Sequence, residues 1–345
     1  MKNVKEETLK ALDLRIFGFY GDITKLKKGV MPLPKVAKYH PTYLCNHNCI
    51  GCDYSEQNKK FHHKTSNKDA NKLIDEFIRL KVRSVDFSGG GEATLHPEFN
   101  NMVLKLAKHK ISMGLLTNGS MLKGELLKNI VKHGAYIRIS LESGSEEVFK
   151  KVKRASGEEF QGILENIRNA LVLRDKLNQD CDISLKFTVG KENYEDMENA
   201  IKLAIDLGVD SIQFKRYRNV REMFEDWERL NLVLDSLKKE YSDRIPVLGD
   251  FTPSKLIGNC WLNPLEFVID AYGDVYMCHY YRHRMKDHYL GNMLKQKLEN
   301  FWGSKEHWDK IRKIDPNKCN VYDCSFHHKN ALMDQCINRK ILDFI

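Results

Sequence analysis

Residues 39–52 read YHPTYL followed by CNHNCIGC, a β-rich run (39–44) that delivers Cys45, Cys49 and Cys52 straight from its carboxyl end. Five further β-rich runs follow: SVDFS (84–88), SMGLLT (112–117), YIRISL (136–141), DISLKFTV (182–189) and DSIQFKRY (210–217). Between them, apolar residues recur at helical spacing: Leu73, Ile74, Phe77, Ile78 and Leu80, then Ile163, Ile167, Ala170 and Leu171, then Met197, Ala200, Ile201, Ala204 and Ile205. Gly134 and Gly208 follow helical patterns, where a left-handed C-cap belongs. Short strands alternating with helices predict an α/β fold over residues 38–217 with a parallel sheet, as a barrel or an open wound sheet. In either form, ligands gather at the carboxyl ends of the strands, where the three thiols stand.

The rest of the chain divides around this core. Residues 1–37 form an N-terminal extension, and 218–258 a helical linker in which Trp227, Leu230, Leu234 and Leu237 share one face. Residues 259–345 form a smaller C-terminal lobe built on a hairpin, FVID-AYGD-VYMC (267–278). With 345 residues, 42% hydrophobic and 30% charged, the chain has material for one large core and a smaller unit, which excludes a disordered or collagen-like chain. The mean hydropathy is −0.51 and no apolar run reaches membrane-spanning length, while the lysine-rich start lacks the apolar run of a signal peptide. A cytoplasmic protein without membrane contact is expected. The net charge of +9 is scattered among acids without a basic block, so it reads as a solvated surface and no nucleic-acid partner is expected.

Nine cysteines, an odd number in a chain expected to keep its thiols reduced, suggest metal or cluster ligation in place of disulfides. Three closely spaced thiolates with no fourth nearby suit a [4Fe–4S] cluster with one iron left open to a non-protein ligand. A closed zinc site requires a fourth ligand, and His47 or the His62–His63 pair is near enough in sequence to supply one. In the C-terminal lobe Cys260, Cys278, Cys319, Cys324 and Cys336 are enough for one fully ligated cluster with one thiol left over. A zinc-stapled lobe is the alternative, with His279, His283, His327 and His328 as competing ligands. Cys181 reads as a buried free thiol.

The CxxxCxxC spacing of the trio resembles that of the radical S-adenosylmethionine (SAM) enzymes, and further motifs occur in the family's order. Gly90-Gly91-Glu92 follows the second strand as the family's GGE motif does, and Thr117-Asn118-Gly119 closes the third. Ser140 and Glu142 end the fourth strand, where relatives place polar groups on SAM, and Arg154 lies where relatives often reach the SAM carboxylate. In place of the aromatic residue that many relatives carry before the last cysteine, this chain has Gly51, with Tyr54 as a substitute adenine contact. Lys186 and Thr188 on strand five, and Gln213, Lys215 and Tyr217 on strand six, alternate onto one face that either lines a barrel mouth or is solvated. Cys260 and Cys278, with Gly273 between them, resemble the opening of the family's SPASM and twitch modules, C-terminal domains that hold auxiliary iron–sulfur clusters.

The resemblance implies a partial (β/α)6 TIM barrel with a small C-terminal α+β twitch-like lobe. It also implies a [4Fe–4S] cluster on Cys45, Cys49 and Cys52, SAM, and an auxiliary [4Fe–4S] cluster on Cys260, Cys278, Cys319 and Cys324, with Cys336 able to replace one of them. The expected activity is cleavage of SAM to a 5′-deoxyadenosyl radical, hydrogen abstraction from substrate, and an oxidation or bond formation assisted by the auxiliary cluster, as in a dehydrogenase. The electron donor would be of flavodoxin or ferredoxin type. Because residues 1–37 are short for a peptide-recognition domain, a small polar or carbohydrate-like substrate is expected first. The alternatives are a peptide- or protein-modifying maturase, with YYRHR (280–284) as a docking patch, and a non-catalytic metal-binding scaffold.

Overall fold

The computed structural model describes residues 16–52, 54, 62–217, 226–252, 258–279, 285–315, 319, 324 and 326–338. The segment 280–284, with His283, lies outside the described residues. The chain forms two compact units: one of residues 39–78 and 83–252, the other of residues 1–38, 79–82 and 253–345. The stretch 218–258 thus contributes its helix, Trp227–Glu240, to the barrel unit. Trp227, Leu230, Leu234 and Leu237 are its buried face, and the Trp227 ring lies 5.5 Å from that of Phe251.

β1 (Val36–Tyr39) precedes a parallel sheet in the barrel unit made of β2 (Ser84–Phe87), β3 (Ser112–Thr117), β4 (Gly134–Ser140), β5 (Asp182–Val189), β6 (Ser211–Arg216) and the two-residue β7 (Val247–Leu248). Each strand from β2 onward pairs in parallel with the next. The expected α/β architecture is the observed one. The first strand lies three residues earlier than 39–44 because Pro41 has no N–H for a ladder, and Thr42 makes only an isolated bridge to Lys64. Gly208 takes the left-handed cap with φ 77°, but Gly134 has φ −78° and starts β4 directly.

Alternation along the strands separates two faces. Val85, Phe87, Leu115, Ile137, Ile139, Leu185, Phe187 and Phe214 are buried beneath the helices, whereas Asp86, Arg138, Ser140, Lys186, Thr188 and Gln213 are half-buried on the other face. The helices Asn67–Arg79, Gly157–Lys176 and Met197–Leu207 bury the apolar positions that set their periodicity. No helix among the described residues is long and apolar enough to cross a membrane.

In the other unit β8 (Glu266–Ile269), β9 (Asp274–Tyr276) and β10 (Tyr289–Asn292) form an antiparallel meander. The β8–β9 turn is held by Asp270, whose carboxylate accepts from the N–H groups of Tyr272 (2.9 Å) and Asp274 (3.0 Å). Ile16, Ile23 and Leu26, around the helix Tyr20–Lys27, pack with Trp261, Leu262, Leu265 and Met333. The Phe87 ring, fully buried, lies 4.9 Å from Phe99 and 6.1 Å from Tyr39. Phe87→Ala should therefore destabilise the protein by about 3–5 kcal/mol in denaturant unfolding, and a loss below about 1 kcal/mol would show that this part of the core collapses around the cavity.

Candidate active site

The cysteine loop is held by its backbone and by the residues between its thiols. The Gly91 and Glu92 N–H groups donate to the carbonyls of Thr42 (2.7 Å) and Leu44 (2.8 Å), so the chain entering the loop lies directly on the turn after β2. A Cβ at Gly91 would stand 1.9 Å from the Leu44 oxygen, which explains why only glycine fits there. Further along, the Ile50 N–H donates to the Val152 carbonyl (3.0 Å). Between the first two cysteines, Asn46 accepts from the Asn118 amide (2.8 Å), and the His47 Nε2 lies 2.7 Å from Glu159 Oε1. His47 is buried, and burial pushes its pKa down.

Glu92 is the fixed point beneath this loop. Its buried carboxylate accepts from Thr94 Oγ1 (2.6 Å), Thr117 Oγ1 (2.8 Å) and the Asn118 N–H (2.7 Å). The GGE turn and the Thr117-Asn118-Gly119 turn are therefore tied together by one side chain. Asn118 passes the connection on to Asn46, and its Oδ1 accepts from Ser120 N–H (2.9 Å).

On the other side of the loop stands a buried cation that the sequence motifs did not single out. Lys153 is 2% exposed and its Nζ lies 3.5 Å from Glu142 Oε2. Burial opposes its charge, but the neighbouring Cys49 and Glu142 outweigh that cost and raise its pKa to about 12. Burial pushes the Cys45 thiol up to about 11 and Cys49 upward as well, so thiolates here depend on positive charge or metal. Arg154, the neighbour in sequence, is exposed and caps the helix Glu146–Lys153 in a left-handed conformation with φ 54°. The signal that separates the two is helical: Phe149, Val152 and Lys153 share the buried face, and residue 154 leaves it.

Glu142 itself has φ 61°, an outlier for a non-glycine residue. It is held there by Asn193, whose Nδ2 donates to both the Glu142 carbonyl (2.9 Å) and the Thr188 carbonyl (3.0 Å). The Glu142 carboxylate also accepts from Thr188 Oγ1 at 3.1 Å. Ser140 is half-buried on the polar face of β4. Gly90, with φ 67°, lies against the Thr42 carbonyl. Gly51 has a steric origin: a Cβ there would fall 1.7 Å from the Tyr217 ring, which arrives from the end of β6 and fills that space. Tyr54 packs edge-on against His40 at 5.7 Å.

In the C-terminal unit Cys260, Cys278, Cys319 and Cys324 lie within electrostatic reach of one another. Burial raises the pKa of Cys260, and pushes that of Cys278 up to about 12, while Lys38, paired with Glu266 at 2.9 Å, pulls Cys278 the other way. Cys336 is exposed on the helix His327–Asn338, and Cys181 is a buried free thiol in the barrel unit. Among the described residues no three Cys, His, Asp or Glu side chains close as tightly as a single metal ion requires. Thiols that share one electrostatic neighbourhood, with the soft sulfur donors iron–sulfur clusters require, fit iron–sulfur ligation at both sites.

A directional relay fixes the first two thiols of this second site. The Asn263 N–H donates to Cys260, and its Nδ2 donates to the carbonyl of Met277 (2.7 Å), next to Cys278. Behind it, His307 Nδ1 accepts from the Gly303 N–H (3.0 Å), which leaves Nε2 to donate to Asn263 Oδ1 (2.8 Å). Asn263 and His307 are both buried, and burial lowers the His307 pKa to about 4, so the ring is neutral at physiological pH. No motif in the sequence announced either residue.

Residues 39–204 match the model of the radical SAM superfamily, and residues 260–325 match SPASM, an iron–sulfur cluster-binding domain. The second match opens at Cys260 and closes just past Cys324, leaving Cys336 outside. It makes residues 260–325 an iron–sulfur cluster-binding domain, in place of the zinc-stapled alternative. The chain is similar to the mycofactocin maturase MftC of Mycolicibacterium smegmatis, 26% identical over 290 residues that cover 79% of this chain and 70% of the relative. In fold it is similar to Streptococcus suis SuiB bound to the precursor peptide SuiA (TM-score 0.66, 16% identity, 88% of this chain and 74% of that one). It is also similar in fold to anSMEcpe with bound AdoMet (TM-score 0.62, 15% identity, 90% of this chain and 98% of that one).

Two measurements check this geometry. Gly51→Ala should cost about 1–3 kcal/mol of stability, and combining it with Tyr217→Leu should cost clearly less than the two changes summed; additive losses would mean the two residues do not share the space. His307→Phe, which keeps a ring and removes both nitrogens, should cost about 1–3 kcal/mol by leaving Asn263 Oδ1 unpaired, and an unchanged unfolding curve would show that Asn263 finds another partner.

Proposed function

Because this chain belongs to the radical SAM superfamily and carries a C-terminal SPASM domain, we propose that it is a maturase that modifies a peptide. The peptide reading is preferred to the small polar substrate expected from the short residues 1–37, since MftC, similar over 79% of this chain, is itself a maturase. The fold it shares with SuiB, a protein seen with its precursor peptide, supports the same reading. The single observation that carries the activity is the three-thiol loop with its buried Lys153–Glu142 pair at the carboxyl edge of the sheet.

Cys45, Cys49 and Cys52 hold the SAM-binding cluster, and Cys260, Cys278, Cys319 and Cys324 the auxiliary one. When bound, the first cluster supplies the electron that splits SAM and so generates the 5′-deoxyadenosyl radical that takes hydrogen from the substrate. The protein's own part is placement and exclusion of water. Gly90 and Gly91 let the backbone approach closely, Glu92 and Asn118 fix the loop that carries the thiols, and Ser140 and Glu142 present oxygens at the end of β4. Lys153 supplies the positive charge beside the thiolates and, at the same edge, a partner for the SAM carboxylate, with the exposed Arg154 next to it in sequence. A flavodoxin- or ferredoxin-type donor fits the electron requirement.

Anaerobically reconstituted protein given SAM and dithionite should form 5′-deoxyadenosine, and replacing Cys45, Cys49 and Cys52 by Ala should abolish it. Peptides from a tagged library should then appear with altered mass only with the intact trio. Retained SAM cleavage in the triple variant would sink the assignment of the loop, and turnover of polyols with no peptide altered would sink the maturase reading.

A further inference from the structure

The C-terminal unit buries a donor that no contact among the described residues satisfies. Asn330 lies in the first turn of the helix His327–Asn338 and is 0% exposed. Its Oδ1 accepts from the Leu262 N–H at 2.9 Å, and because that partner can only donate, the orientation of the amide is fixed. The other arm, Nδ2, is buried and finds no acceptor among the described residues, thiols included. A buried N–H left in that state costs free energy, so the site calls for an acceptor.

The surroundings indicate which acceptor. One turn along the same helix, Asp334 accepts from Trp261 Nε1 (2.8 Å), so the two residues that follow Cys260 are each held by a rung from this helix. The helix begins just after Cys324, whose carbonyl accepts from the His327 N–H at 3.3 Å. The Asn330 N–H donates to the Phe326 carbonyl (2.8 Å), and the Phe326 ring stands edge-on to His279, the residue after Cys278, at 5.2 Å. Asn330 thus sits where the segments carrying Cys260, Cys278 and Cys324 converge. The Oδ1 of Asp334 already accepts from both Trp261 and Asn338 (2.7 Å). A buried water requires about two to four polar partners of its own, whereas the core that Asn330 adjoins is built of Leu262, Met333 and Phe326.

We propose that Asn330 Nδ2 donates to an inorganic sulfide of the auxiliary cluster and thereby raises its reduction potential. The sulfides are the acceptors that a cluster adds to a site whose thiols the amide does not reach. A donor to them stabilises the reduced cluster, which carries one more negative charge, more than the oxidised one. The bond from Leu262 locks the amide, so the donor holds its place in both redox states. Asn263 and His307 act on the backbone that carries the thiols, whereas Asn330 acts on the cluster's own sulfur. This inference rests on the reading that Cys260, Cys278, Cys319 and Cys324 hold an auxiliary cluster.

The test uses the full-length chain with Cys45, Cys49 and Cys52 replaced by Ala, reconstituted anaerobically so that the auxiliary cluster alone gives a signal. Iron is counted first: a chain without iron overturns the auxiliary-cluster reading and this inference with it, before residue 330 is touched. Potentiometric titration followed by EPR then compares this chain with Asn330→Leu, and with Asn330→Asp, which keeps an acceptor for Leu262. Both variants should be harder to reduce. At the midpoint of the chain with Asn330, their ratio of reduced to oxidised cluster should fall about tenfold, a shift of about 59 mV for one electron. An unchanged midpoint in Asn330→Leu overturns the proposal even where Asn330→Asp shifts, because a new carboxylate lowers the potential by its charge alone. Pulsed EPR decides the matter if Asn330→Leu fails to hold its cluster. Protein grown with asparagine carrying nitrogen-15 in its side-chain amide should show that nucleus coupled to the reduced cluster, and Asn330→Asp should lose the coupling. Its absence from the chain with Asn330, or its survival in Asn330→Asp, overturns the proposal.

Discussion

One carboxylate, that of Glu92, holds three strand ends in a fixed relation. Its oxygens take donors from Thr94, Thr117 and Asn118, and its backbone N–H meets Leu44 at the start of the cysteine loop. A loop rich in small and polar residues has little apolar surface with which to hold its own shape. Hydrogen bonds to a charged group are stronger than neutral ones, and in a buried setting the loss of one leaves others unpaired. The positions of the three thiols are therefore inherited from a side chain at the end of the neighbouring strand.

The second constraint is electrostatic. Lys153 is fully desolvated beside Glu142 and two thiols, a setting in which removal of either member of the ion pair typically costs about 3–5 kcal/mol. Burial alone favours neutral thiols, so the lysine tilts the loop toward the anionic form that iron requires. The C-terminal unit solves the same problem with less charge. Lys38 lies near Cys278 but is shared with Glu266, and the geometry there depends on the neutral relay from His307 through Asn263.

Much of this was legible in the sequence because it follows from period and order. The alternation of β-rich runs with helical patterns placed the strands, and the thiol spacing with the glycine turn located the site. The first strand was misplaced by three residues because a β-rich composition concealed Pro41, whose missing N–H ends the ladder. β7 escaped notice because two residues carry no period. Lys153 was overlooked for Arg154 because a motif marks a neighbourhood, whereas burial depends on the helix phase that Phe149 and Val152 set. Asn263 and His307 were out of reach, since their roles arise from a contact between residues 44 positions apart.

The meeting of Gly51 and Tyr217 couples two positions far apart in the sequence. The two segments, a loop after β1 and the end of β6, draw on one shared volume, and an aromatic ring can enter it from either side but not from both. Sequence variation at the two positions is thereby linked by exclusion: a chain that gains a side chain at 51 must shed bulk at 217, in that order of necessity or together. Stepwise replacement across this pair passes through a strained or a hollow intermediate, so the two positions are free to change only in concert.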